Sequence, residues 1–342
     1  MLLVTEKKIS LTKEQRVTLF KNLVRADKFG KMMYSRMMQG KLIGFYHPAE
    51  GAIAPGVAAG SFLTNDDILF PHHRGHGITH MLSKGIDIEP YIAEHAGKST
   101  GCCEGRAAWH YAYPDNNVFG TTAYIGHNFV PCTGFGWAAK RNNRGQIVMN
   151  CFGDGAMGTG RAHEGLLLSS NWQLPIVHFC ENNGFAIFAE VEEMHPTAHL
   201  STIAEGLNIP TTIVEDGQDV FAVAEAVLPA IERARSGGGP TFIEAKCLRF
   251  KEHDIGNRDL RGWKPREQDE YDAMLKRDPV LVATERARAE SLFTDGEIEK
   301  IHEDAEQEVA RAVKFADDSP VESPTEAELM ATLYAPRDGV SI

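Results

Sequence analysis

The sequence has no CxxC spacing among its six cysteines, Cys102, Cys103, Cys132, Cys151, Cys180 and Cys247. That absence excludes the common zinc-binding and redox-motif patterns. Four of the six sit in or beside apolar segments. They read as reduced packing residues of a cytoplasmic protein, not as a disulfide framework. No apolar run approaches the ~20 residues of a membrane span. The opening stretch, MLLVTEKKISLTKEQ, turns charged too soon for a secretory signal. Positive charge is also in short supply. The 35 Lys and Arg face 47 Asp and Glu, for a formal net charge of −12. Nucleic acids and anionic membranes are held by clustered Lys and Arg, so neither is an expected partner. Internal repeats and low-complexity tracts are absent as well.

What is present is an ordinary globular composition, 342 residues with 43% hydrophobic and 24% charged. That length accommodates two domains, or one large α/β domain with appendages. Residues 13–39 are amphipathic at helical spacing, with Leu19, Leu23, Phe29, Met33 and Met37 near one face. A helix through Ala58 and a short strand at Ile68 to Phe70 follow. From Gln146 the alternation is regular: strand QIVMNCF, turn GDGAMGTG, helix Arg161 to Ser169, strand PIVHFCE, turn ENNG. It continues with TTIVE, a helix from Val220 to about Ser236, and TFIEAKC. Such alternation predicts an α/β fold, a parallel sheet with helices on both faces. A helical N-terminal segment (1–45) precedes the α/β domain (46–267), and a charged helical tail (268–342) follows it. Residues 97–127 are rich in Gly, Ala, His, Tyr and Asn without clear periodicity. A loop of that length is functional or disordered, and its aromatics argue against disorder.

Ligands of parallel sheets bind beyond the carboxyl ends of the strands. Both GDG and ENN fall there. Gly153 and Gly155 lack a Cβ, so the backbone can approach an anion, and the helix that follows offers free N–H groups. Asp154 between them would repel a diphosphate unless a divalent cation lay between the two. Magnesium prefers oxygen ligands, usually one or two protein carboxylates plus phosphate and water. Asn183 ends the next strand, and its amide oxygen is a candidate second ligand. The carbonyl of Phe185 is a third. Two other readings of the turn stay in play. Gly153, Gly155 and Gly158 match G-x-G-x-x-G, with Glu181 where a ribose-binding acid of a dinucleotide fold would stand. A plain structural turn with a solvated aspartate is the other. A calcium loop is excluded because Ala156, Gly158 and Gly160 occupy the positions that need acids.

Beyond the turn itself, the stretch GDGAMGTGRAHEGLLLSSNWQLPIVHFCENNGFAI resembles the thiamine-diphosphate motif of the alpha subunits of 2-oxo acid dehydrogenases. That family includes the pyruvate, branched-chain and acetoin dehydrogenase first components. Four collinear blocks extend the resemblance over about residues 15–335: GFYHPAEGAIAPGVAAG, DDILFPHHRGHGITHMLSKG, RFKEHDIGN and SPVESPTEAELMATLYA. The resemblance implies a thiamine-diphosphate-binding fold with roles for particular residues. Asp154, Asn183 and the Phe185 carbonyl would hold Mg2+. Gly153, Gly155 and Ala156 would meet the diphosphate through the backbone. His73 and Arg74 would bind diphosphate oxygens, and His47 would face the cofactor. Ala123 and Ile125 would lie beside the aminopyrimidine. His253 would sit on a mobile loop over the thiazolium, and His76 is a further catalytic candidate.

The same resemblance implies an oxidoreductase that decarboxylates or cleaves a 2-oxo acid or acetoin and passes the acyl group to a lipoyl acyltransferase. The glutamate that works against the aminopyrimidine comes from a beta subunit in two-chain members. The expected assembly is therefore a heterotetramer of two alpha and two beta chains. Three loops depart from the family pattern: 105–110, where Ala107, Ala108 and Trp109 replace a glycine-rich run; 125–131, with one added residue; and 252–257, where EHDIGN stands in place of a GHS-type loop. These departures keep a second class in view, a thiamine-dependent carboligase or carbon–carbon lyase without lipoyl transfer. An NAD-dependent oxidoreductase and a non-catalytic partner-binding chain complete the set of alternatives.

Overall fold

A computed structural model describes residues 10–321 and 323–333. Its centre is a seven-stranded sheet. The strands in chain order are β1 (Ile68–Phe70), β2 (Ala112–Tyr113), β3 (Val118–Phe119), β4 (Val148–Gly153) and β5 (Ile176–Asn182). The hairpin β6 (Phe185–Ala186) and β7 (Ala189–Glu190) stands apart, and β8 (Thr211–Val214) and β9 (Thr241–Lys246) complete the sheet. The spatial order is β2-β3-β1-β4-β5-β9-β8. Every pairing in it is parallel except β2 with β3.

The central strands β4 and β5 carry near-continuous apolar runs because both of their faces are covered. Met149, Cys151, Val177 and Phe179 point to one face. There they pack with Leu19, Leu23, Phe29, Val227 and Ala305 in the largest core. Phe152, Cys180 and Phe242 point to the other, against Phe129, Ala162 and Leu166. Helices therefore flank both faces, as the alternation predicts. The long helix Lys13–Met38 starts in a capping box, with Thr12 and Gln15 satisfying each other's backbone N–H groups. Its apolar face and that of the tail helix Asp295–Asp318 join the sheet in that one core. Among the described residues no helix is long and apolar enough to cross a membrane. All six cysteines are free, and the four in the apolar segments are buried.

The register decides what meets at the sheet's carboxyl edge. Gly153 of β4 lies opposite Glu181 of β5, and Asn182 opposite Lys246 of β9. Asp154 and Asn183 thus leave adjacent strands at the same level.

Candidate active site

A cavity of about 440 Å³ opens at that edge. Its floor is the Gly-Asp-Gly turn. Asp154 begins a short 3-10 turn, Asp154–Gly158, and the helix Gly160–Asn171 follows, with the Thr159 hydroxyl accepting from the Ala162 amide. The glycines are required by what stands beside them. A Cβ on Gly155 would meet the Ala186 Cβ at 2.8 Å, and one on Gly153 would meet His72 Nε2 at 2.8 Å. Asp154 is 2% exposed. Its Oδ2 and the Oδ1 of Asn183 are buried without a hydrogen-bond partner among the described residues. Burial raises the Asp154 carboxyl to about 6, against the opposing pull of backbone amides, Arg74 and Arg249. Two buried oxygens with no donor, aimed into one cavity, fit a cation better than they fit each other. Phe185, the third proposed ligand, also lines the cavity.

Two buried guanidinium groups supply positive charge. Arg74 donates through Nη1 to the Pro48 carbonyl at 2.9 Å and the His253 carbonyl at 3.3 Å, and through Nη2 to His253 Nδ1 at 3.3 Å. Arg249 is 1% exposed and donates through Nη2 to the Ile187 carbonyl at 2.9 Å. Its Nε and Nη1 have no partner among the described residues, and the Nε of Arg74 has none either. Arg74 lines the cavity and its leftover donor suits phosphate oxygens, whereas Arg249 does not line it and acts there through its charge on Asp154.

The wall opposite is built of histidines. His47, His73 and His253 each offer one ring nitrogen within 4.8 Å of the others. Burial, and then the Arg74 charge, lower His47 to about 2 and His253 to about 3. His73 is likewise held well below its usual value, by burial and then by its neighbours His72 and His47. These rings are neutral at physiological pH. His76 is fully buried behind His47, with Nε2 at 3.1 Å from His47 Nδ1, and does not line the cavity.

The ribose-binding alternative for Glu181 meets a direct obstacle. That carboxylate is buried between His72 Nδ1 at 3.2 Å and His80 Nε2 at 2.6 Å. Both of its oxygens are engaged, so no ribose hydroxyl can use it.

The family model described as "Dehydrogenase E1 component" matches residues 22–325. The chain belongs to the dehydrogenase E1 component family. It is 32% identical to the alpha subunit of acetoin:2,6-dichlorophenolindophenol oxidoreductase of Bacillus subtilis (strain 168), over 98% of each chain. It is also 32% identical to the chloroplastic pyruvate dehydrogenase E1 component subunit alpha-3 of Oryza sativa subsp. japonica, over 97% of this chain and 79% of that one. The acetoin:2,6-dichlorophenolindophenol oxidoreductase alpha subunit of Cupriavidus necator is 34% identical over 73% of this chain and 74% of its own.

Within this E1 chain the remaining predicted residues take distinct places. Ala123 and Ile125 lie on the exposed rim of the cavity, on either side of Tyr124. The unusual 105–110 loop is held by Glu94, which had not stood out in the sequence. The buried Glu94 carboxylate accepts four backbone N–H groups: Cys103 and Gly105 at 2.8 Å on Oε2, Ala107 at 2.7 Å and Ala108 at 3.2 Å on Oε1. One carboxylate thus organises a loop in which Ala107, Ala108 and Trp109 stand in place of a glycine-rich run. Trp109, carried by that loop, stacks on His76 at 4.9 Å between ring centres. Arg249 was also missed. It lies three residues beyond the end of β9, where the strand-end rule points.

Proposed function

We propose that this chain is the alpha subunit of a thiamine-diphosphate-dependent dehydrogenase acting on a 2-oxo acid or acetoin. The observation that carries the proposal is the pair of buried oxygens, Asp154 Oδ2 and Asn183 Oδ1, that have no partner among the described residues and lie beside the Gly153–Gly155 cradle. The residues present fit the group. Asp154, Asn183 and the Phe185 carbonyl would hold Mg2+, and Gly153, Gly155 and Ala156 would receive the diphosphate through the backbone. Arg74 and His73 would complete that anion site, with Arg249 adding charge from below. Ala123 and Ile125 would border the aminopyrimidine. When bound, thiamine diphosphate supplies a nucleophilic carbon and an electron sink for cleaving the bond beside a carbonyl.

The chain's own work is positional and electrostatic. The buried guanidinium groups would stabilise phosphate charge in a site where burial strengthens each interaction. The neutral histidines offer hydrogen-bonding nitrogens without adding charge. His253, whose Nδ1 accepts from Arg74, keeps its proton on Nε2 and so presents a donor to the cavity. The exposed rim, with Tyr124 and Ile125 at the mouth, is where a beta subunit would close the site. The assembly would be a heterotetramer of two alpha and two beta chains, with a lipoyl acyltransferase taking the acyl group.

Calorimetry on the chain co-expressed with its beta partner tests the reading. Titration of thiamine diphosphate with Mg2+ into the wild-type assembly should give saturable binding. Asp154→Ala should weaken it by more than the roughly 10–100-fold that loss of an outer-shell partner of a metal ligand costs. Equal affinity in the variant would remove the metal assignment.

A further inference from the structure

Behind the cavity wall, three histidines form a hydrogen-bonded line that the proposed binding roles do not require. It runs from His47 through His76 to His95 and ends on the Tyr91 carbonyl. Its protons can be placed from the inner end. At the inner end, His95 Nδ1 lies 3.0 Å from the Tyr91 carbonyl, which can only accept. His95 therefore carries its proton on Nδ1 and has a lone pair on Nε2. That lone pair faces His76 Nδ1 at 3.2 Å, so His76 donates there and its own Nε2 is an acceptor.

At the outer end the contacts agree. The backbone N–H of His47 points at His76 Nε2 at 3.3 Å, and a backbone N–H can only donate. That contact is long for a hydrogen bond and favours an acceptor at His76 Nε2 without fixing it, so the lock depends on His95. His76 Nε2 also lies 3.1 Å from His47 Nδ1, which must then carry the proton. A neutral His47 is left with its lone pair on Nε2. Burial keeps all three rings neutral, lowering His47 to about 2 and His95 to about 4, and His76 well below its usual value.

We infer that His76 and His95 are positioning residues that lock His47 in one tautomer, so that its Nε2 acts as a hydrogen-bond acceptor for an O–H or N–H of the ligand in the cavity. The lock is structural as well as electronic. His76 holds a left-handed backbone conformation, φ 48°, between Gly75 and Gly77. Its ring stacks on Trp109 at 4.9 Å and lies nearly coplanar with the His95 ring, 5.4 Å between centres across their hydrogen bond. Its carbonyl accepts from the buried Tyr111 hydroxyl at 2.6 Å. A ring so confined cannot flip to offer the other nitrogen. Paired with His253, the wall would present one acceptor and one donor. A ligand group carrying both kinds of hydrogen-bonding atom is favoured over one that only accepts. The acceptor role rests on the proposed cofactor cavity; the tautomer assignment does not.

The test separates the two. Nitrogen NMR of the chain labelled at histidine, without any ligand, reads each ring nitrogen as protonated or bare. Wild type should show His47 with a bare Nε2 and a protonated Nδ1. His95→Leu removes the acceptor for His76 and should convert His47 to a mixture of tautomers. His95→Gln, whose Oε1 can accept from His76 Nδ1, should restore the wild-type pattern. A protonated His47 Nε2 in wild type, or an unchanged His47 in His95→Leu, would overturn the lock. In the assembly with its beta partner, His95→Leu should lower kcat/KM about tenfold, the scale of one lost hydrogen bond, with recovery in His95→Gln. Wild-type kcat/KM in His95→Leu despite an altered tautomer would sink the acceptor role. Failure of wild type to bind thiamine diphosphate would instead sink the cofactor reading and leave the nitrogen assignment standing.

Discussion

The two walls of the cavity are built on opposite principles. On the histidine side most polar atoms are paired, with His72 Nε2 an exception: His47, His76, His95 and Tyr91 form a hydrogen-bonded line that leaves His47 Nε2 to the cavity, and Glu94 accepts four amides of the adjoining loop. On the strand-end side Asp154 Oδ2 and Asn183 Oδ1 are buried without partners among the described residues. A satisfied network is rigid and supports the fold, whereas unsatisfied buried groups cost stability and persist where a ligand needs them. One wall is therefore expected to matter for folding and the other for binding.

Acid should break this contrast most strongly, because the walls titrate in opposite directions. Burial lowers His47, His95 and His253 below the ordinary value of 6.5. The unfolded chain then binds more protons than the folded one below that pH. Their contribution to stability is present above pH 6.5 and is lost as the pH falls. Each histidine held this way contributes about 1.4 kcal/mol per pH unit in that range. Asp154 runs the other way. Its carboxyl is raised from 3.8 to about 6, so protonation near pH 6 relieves the folded state. Three histidines outweigh one aspartate, and denaturant midpoints should fall steeply from pH 7 to pH 5. A flat profile would mean that the histidine wall is charged or solvated.

Substitutions sharpen the same comparison. Glu94→Leu leaves four part-buried loop amides without an acceptor and should cost at least about 1–3 kcal/mol, the penalty of one buried donor left unpaired. Denaturation together with protease cleavage near residues 103–108 would measure it. Asp154→Ala should behave oppositely. It removes a desolvated carboxylate whose Oδ2 has no partner among the described residues, so the ligand-free chain should keep or gain up to about 1 kcal/mol of stability. The upward shift of Tm on adding thiamine diphosphate and Mg2+ should vanish in that variant. Comparable destabilisation in both variants would erase the distinction between the walls.

How far each wall could be read in advance follows from the same difference. The strand-end wall is local in sequence. The apolar runs of β4 and β5 are long enough to recognise, the parallel register puts their ends together, and Gly153, Asp154 and Asn183 sit at those ends. Arg249 obeys the same rule and was legible in principle. The histidine wall is assembled from segments near residues 47, 76, 95 and 253, and nothing in the spacing of those positions says that they meet. His76 was singled out by its block, yet its place behind His47 emerges only from the folded chain. Glu94 and His95 look like ordinary residues of a seven-residue helix, Glu89–His95. The strands β2 and β3 are two residues each, too short for a period to show, so residues 97–127 read as featureless.

The smallest expected effect lies at the rim, which belongs to neither wall. Arg161 places its guanidinium 4.1 Å from the centre of the Tyr124 ring, at the first turn of the helix that follows the glycine turn. Tyr124 is 59% exposed, so water competes with the contact. An exposed cation–π pair is worth about 0.5–1 kcal/mol. Arg161→Ala should therefore change the stability of the isolated chain by no more than that. Its larger consequence should fall on the loop 121–128, where the lost contact leaves Tyr124 free to sample other rotamers. Hydrogen exchange of those amides should quicken in Arg161→Ala while the amides of β4 and β5 stay protected. If β4 and β5 exchanged faster as well, the rim would be part of the cavity floor, and a third region would have to join the comparison of the walls.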